Sequence, residues 1–178
     1  MSMNFEELTP PVRVPMLAAY DAEVDSGRPY ESSVMSPEGL AAYPDLLREA
    51  LRAGDEVTLT RAISNPRYWK ATNARGAAVN PAASASALAL TEFNTWYVAG
   101  LAAVLQAEGA TDCDVYRAEN PEGDQGKCKA HEEQTYPLVD VIAGHRIQYW
   151  PRTGQPVRDA FCVPAVTNCH HTIRRCRN

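Results

Sequence analysis

The sequence predicts an α+β protein. A helical N-terminal half leads into a long central helix over about residues 81–108, and a small, loop-rich half carrying Cys and His follows. Three observations point there. The longest periodic apolar stretch, SASALALTEFNTWYVAGLAAVLQAEG (84–109), lies in the middle of the chain. After Gly109 the texture changes from helical to alternating and loop-like. All five cysteines, Cys113, Cys128, Cys162, Cys169 and Cys176, fall within the last 66 residues.

Residues 1–35 are rich in Pro, Ser, Glu and Asp and read as an extended arm. Pro10-Pro11 and Pro15 argue against an early helix. Pro15–Asp25 has room for about three turns, with Gly27 just past its end. An arm without a core of its own needs something else to pack on; the alternative is a loose terminus. Residues 36–178 read as a single α+β domain, helical over 36–109 and Cys/His-rich over 110–178. Ser36-Pro37-Glu38 is a helix-start signal, with Ser as N-cap and Pro in the first turn. Pro44 is expected to interrupt, leaving Pro44–Ala53 as the stronger helix, ended by Gly54. Val57–Thr60 reads either as a short strand or as the start of a helix through Ile63, closed by Asn65-Pro66.

Asn80-Pro81 supplies the cap of the central helix and Gly109 its stop. Leu90, Phe93, Tyr97, Leu101 and Val104 share one face at spacings of three and four. Leu88, Trp96 and Ala99 form a second apolar face, so the helix is expected to lie between neighbours. Thr91, Glu92, Asn94 and Thr95 are left for the remaining sides, where the ordinary reading has them facing water. Beyond the helix, Cys113–Arg117 alternates as a strand does. Asn120–Gly126 and Pro151–Gln155 are loops by composition, and Thr135–Leu138 is a short segment of undecided type. Arg174-Arg175-Cys176-Arg177 reads as a solvated basic run.

A net charge of -5 argues against a protein that coats nucleic acid. No run of eighteen apolar residues predicts a membrane span. The start, MSMNFEELTPPVRVP, lacks the basic and apolar regions of a secretory signal, so folding in a cytoplasm is expected. In that compartment clustered cysteines favour metal ligation or free thiols over disulfides. Cys128-Lys129-Ala130-His131 has the CxxH spacing of half a zinc site, and Cys169-His170-His171 can supply the other half. The candidate ligands are therefore Cys128, His131, Cys169 and His171 around a structural zinc; buried thiols and hydrogen-bonded histidines are the alternative. No His-Asn-His spacing of an HNH-type nuclease fits His145 and Asn168. No HExxH, GxSxG, Walker or GxGxxG motif occurs.

Several short motifs occur in a familiar order: Ala89-Leu90-Thr91-Glu92 with Asn94 and Gly100, then Glu108-Gly109-Ala110 and the strand Cys113–Tyr116. Gly126-Lys127-Cys128 with Gln134–Leu138 follows, and Pro164–Thr172 closes the series. Over residues 80–175 the chain resembles the phage head-morphogenesis, or Mu F-like, minor capsid family. It departs where the family's terminal His-Pro is replaced by Val166-Thr167, with Asn168-Cys169 kept. The first Cys of the family's CxxC pair is replaced by Gln125. The resemblance implies a structural protein of a tailed-phage head without catalytic turnover. It would bind the portal or major capsid protein, self-associate in the virion, and make no contact with membrane or specific nucleic acid. It would lie in the phage head, and in host cytoplasm during assembly. It also implies that Thr91, Glu92 and Asn168 are a structural signature. The polar face of the central helix would then bond to the Cys/His-bearing half, with Arg117, Arg146 or Arg174 near Glu92. The rival readings are a small zinc-dependent nuclease and a zinc-stabilised binding module.

Overall fold

A computed structural model describes residues 2–119, 126–165 and 169–177, with the side chains of 126–128 excepted. Five helices and three strands follow in the order α1 (Pro10–Asp25), α2 (Pro37–Ala53), α3 (Glu56–Ile63), α4 (Pro81–Ala107), β1 (Asp112–Arg117), β2 (Gln134–Pro137), α5 (Leu138–Ala143) and β3 (His171–Arg174). The fold is α+β, with helices around a long central one and a small antiparallel sheet in the C-terminal half.

The first helix begins five residues earlier than its sequence suggests. Pro10 and Pro11 occupy its first two positions, where no N–H donor is required. Pro15 lies inside it. Val12, Met16 and Tyr20 are buried in the main core, so the expected arm is a packed layer over much of its length. Its close approach to α4 depends on Gly100: a Cβ there would lie 2.3 Å from Met16 Cγ and 2.9 Å from both Met16 N and Val12 O. In α2 the Ser36 hydroxyl accepts from Gly39 N at 3.1 Å. Pro44 does not start the helix but sits within it. Gly39, Tyr43, Leu47, Ala50 and Leu51 form one buried stripe running past it, and this packing outweighs the single backbone bond that proline removes. The 56–63 segment resolves as helix, capped by Asp55, whose carboxylate accepts from Thr58 N at 2.7 Å.

The central helix α4 has the expected bounds, with Asn80 Oδ1 accepting from Ala83 N at 3.2 Å. By length and composition it could cross a membrane, but 78% of its most apolar window is buried inside the protein. From Leu88 to Val98 every residue is buried, including the four polar ones expected to face water.

The sheet has the order β2-β1-β3 with both pairings antiparallel. Asp114 lies opposite Arg174 and Arg117 opposite His171. Sequence reading missed the short helix α5 and the last strand. The basic run is solvated in part: Arg175 and Arg177 are exposed, but Arg174 is 6% exposed and caught between Glu6 and Glu133. One apolar cluster joins Leu47, Leu59, Phe93 and Trp96 to Val115, Val141 and Ile173, so both halves share a core.

Candidate functional site

Helix α4 presents its polar side to the C-terminal half, where Glu92 and Asn94 meet partners while Asn94 Oδ1 is buried without a hydrogen bond. Glu92 is 1% exposed. Arg146 clamps it in a two-pronged pair, Nη1–Oε1 and Nη2–Oε2 both at 2.7 Å. Of the three arginines expected near Glu92, Arg146 is the one the fold delivers. Its Nε is 3.1 Å from Glu23 Oε2, an ion pair between α1 and the segment after α5. Three rings wall the guanidinium in: Trp96 at 4.9 Å, Tyr30 at 5.1 Å and Tyr149 at 5.8 Å. Two carboxylates and an aromatic cage keep this buried cation charged, its pKa well above the ordinary arginine value despite burial. Its backbone has φ 53°, a left-handed conformation uncommon for any residue but glycine. The arrangement around Glu92 holds it there.

Two turns of α4 add further bonds. Asn94 Nδ2 donates to His171 O at 2.8 Å, fastening β3 to the helix. Thr95 Oγ1 donates to Thr91 O at 2.7 Å and lies 3.4 Å from Tyr149 OH. Thr91 Oγ1 donates to Ala87 O at 2.8 Å and is buried. The polar face of α4 is therefore an internal fastening, and the reading that placed Glu92 and Asn94 in water is corrected.

The four expected zinc ligands divide. His131 Nδ1 bonds to Tyr136 OH, and its ring packs on Phe161 at 5.3 Å. His171 Nε2 lies 3.3 Å from Glu132 Oε2, and its ring also contacts the Cys169 side chain. Glu132 is held in turn by Arg117, Nη2 at 2.7 Å and Nε at 3.0 Å. Cys128 and the signature residue Asn168 lie outside the described residues and side chains. Among the described residues no three His, Cys, Asp or Glu side chains converge on a point where a metal could sit. Cys169 and His171 are brought together, but the imidazole lies against a thiol and a carboxylate, with an arginine behind the latter. Burial pushes the Cys113 thiol up to about 12 and the Cys162 thiol up to about 11, so both stay protonated at neutral pH.

Three titratable groups of these clusters give stability a pH dependence. Burial, the largest influence on His145, holds its pKa below the ordinary value against the pull of Glu23. For Glu23 burial pushes up, but hydrogen bonding to His145, the Arg146 charge and the Tyr30 N–H bring it below its ordinary value. For His171 burial pulls down, and contacts with Cys169 and Glu132 outweigh it, leaving the pKa raised. The unfolded chain therefore takes up protons before His145 does as pH falls below about 6.5, and before Glu23 does below about 4.3. Both contributions are present above those values and lost on acidification. His171 has the opposite sign: its contribution is full below about 6.5 and lost as pH rises through its folded value. Urea unfolding across pH should show a maximum near neutrality. His145→Gln should flatten its acid side and His171→Gln its alkaline side. A wild-type curve that climbs steadily through pH 8 would show that His171 is not held as described.

Compared with protein-family models, with curated proteins and with solved structures, the chain matches none.

Proposed function

We propose that the chain is a structural protein of a tailed-phage head, of the head-morphogenesis minor capsid type, which binds the portal or the inner face of the major capsid protein without catalytic turnover. The observation that supports this reading most is the fastening of α4 to the C-terminal half. The resemblance implies that Thr91-Glu92 bonds to the Cys/His-bearing half, with Arg117, Arg146 or Arg174 near Glu92. The Glu92–Arg146 pair, with both bonds at 2.7 Å, is in keeping with that expectation. The site favours rigidity: its buried charges face one another and are enclosed by rings. A protein with such a centre contributes shape and surface to an assembly.

The test is made on particles. Peptides of this chain should be found by mass spectrometry in purified phage heads and should persist through a density gradient. Tagged chain should retain portal or major capsid protein produced in the same cells. Recovery only in the soluble fraction, with neither head protein retained, would sink the reading.

A further inference from the structure

The end of α1 and the segment after α5 enclose a cleft of about 280 Å³, beside the Glu92–Arg146 fastening and not filled by it. Glu23, Ser26 and Arg28 line one wall, and Trp150 and Arg152 line the other. Gly27, at φ 72°, turns the chain out of α1 ahead of Arg28. Across the cleft, Trp150 Nε1 donates to Arg28 O at 3.1 Å, and Arg28 Nη1 donates to Arg152 O at 3.4 Å. The edge of Tyr30, 5.7 Å away, steadies the Trp150 ring.

The charges lining this cleft do not cancel. Glu23 is the carboxylate in its wall, and both its oxygens are spent inward. Oε1 accepts from Tyr30 N at 3.0 Å, and Oε2 lies 3.1 Å from Arg146 Nε. Ser26 Oγ is likewise turned to the backbone, donating to Glu23 O at 2.6 Å. Among the described residues, neither Arg28 nor Arg152 forms an ion pair with a carboxylate. Arg28 has the Trp150 ring, 5.9 Å from its Cζ, and the Arg152 carbonyl. The Arg152 guanidinium has no hydrogen-bond, ion-pair or ring partner among the described residues. The chain carries a net charge of -5, so carboxylates are not scarce. Two like charges facing one cleft repel each other, and an anion between them converts that repulsion into attraction.

We infer that this cleft binds a nucleoside monophosphate, with the phosphate between Arg28 and Arg152 and the base on the Trp150 ring. A guanidinium matches two phosphate oxygens with paired N–H donors. A phosphate has three such oxygens and close to two charges, enough to bridge two guanidinia; a carboxylate is matched by one. The indole offers a flat surface on which any base can stack. The volume stands at the small end of ligand cavities, with room for one ring system and one anionic group. Arg28 and Arg152 are exposed at the rim, so the anion reaches them without opening the fold. This inference rests on the cleft and not on the capsid reading, so either can fail alone.

Trp150 is partly exposed while Trp69 and Trp96 are buried, so quenching of tryptophan fluorescence by a stacked base reports on this cleft. Full-length protein is titrated in turn with adenosine monophosphate, uridine monophosphate, adenosine and inorganic phosphate. At least one of the two nucleotides should quench saturably, with adenosine and inorganic phosphate weaker by roughly tenfold or more. Arg28→Ala and Arg152→Ala should each weaken nucleotide binding by roughly tenfold or more in calorimetry. Trp150→Phe should abolish the fluorescence change. Circular dichroism establishes that each variant is folded; should the Trp150 variant unfold, the two exposed arginines decide alone. No saturable response to either nucleotide would overturn the inference. So would unaltered affinity in both arginine variants, or inorganic phosphate binding as tightly as the nucleotides. A 5′-phosphorylated tetranucleotide that binds roughly tenfold tighter than the mononucleotides would overturn it in favour of a strand end.

Discussion

Glu92→Gln is expected to destabilise the protein by about 3–5 kcal/mol, the cost of leaving one partner of a buried pair behind. The change keeps the side chain's volume, so packing is undisturbed. It removes the charge facing Arg146 and places an amide N–H where the guanidinium needs an acceptor. Arg146 is 2% exposed and walled by Trp96, Tyr30 and Tyr149, so water cannot replace the lost oxygen. For a chain of this length each kcal/mol shifts the thermal midpoint by roughly 2–4 °C. The expected fall is therefore on the order of 10 °C. Circular dichroism melting curves decide it, and a fall under about 2 °C would mean the pair carries little of the stability. Arg146→Lys should also lose stability, because an ammonium cannot span both carboxylate oxygens as the planar fork does.

Gly100→Val is expected to be as damaging for a different reason. The added carbons would strike Met16 Cγ and the α1 backbone at Met16 N and Val12 O. A flexible side chain can turn aside, but helix backbone cannot, so α1 must move away from α4. Overpacking a filled core costs about 1–3 kcal/mol, and a backbone clash belongs at the upper end or beyond. Urea unfolding measures the loss. Limited proteolysis should also show new cleavage between residues 10 and 25, as α1 is displaced before the rest. Wild-type stability and protection in this variant would mean that α1 is not seated on α4, and the segment would return to being an arm.

How much of this could be read from residues alone depends on where the deciding physics is local. The central helix was legible at both ends, because Asn80-Pro81 and Gly109 carry their instructions in their own backbone chemistry. Its two apolar faces announced burial correctly. The prolines misled because their effect was judged one helix turn at a time. Pro10, Pro11, Pro15 and Pro44 are tolerated by first-turn position or by a buried stripe that only the tertiary fold supplies. The last strand was illegible for the same reason. His171–Arg174 is a strand because β1 offers it an open edge, and four residues with only Thr172 and Ile173 as strand formers are too short a signal to say so. In the candidate site, the partner of Glu92 was foreseen as one of three arginines, but the choice of Arg146 needed the turn after α5. The residues around it, Glu23, Tyr30, Trp96 and Tyr149, come from three separated segments, and no spacing rule connects them. For the zinc reading, short spacing fixes only that two side chains are near, not that their lone pairs converge, and the side chain of Cys128 lies outside those described.

The sheet order has a consequence for the protein's synthesis. Its middle strand, β1, is completed on one side only when β3 emerges, about 67 residues after the end of α4. At ribosomal speeds of about 5–20 residues per second, that interval is roughly 3–13 s. Over its first 39 residues Glu92 lacks Arg146, and through nearly all of it Asn94 lacks His171, so the long apolar helix has chiefly its N-terminal neighbours for cover early in the interval. The nascent chain therefore passes through a stage in which a stretch long and apolar enough to interest a membrane or a chaperone is incompletely clothed. Residues 2–9 and the first three helices, made earlier, are the first cover it receives.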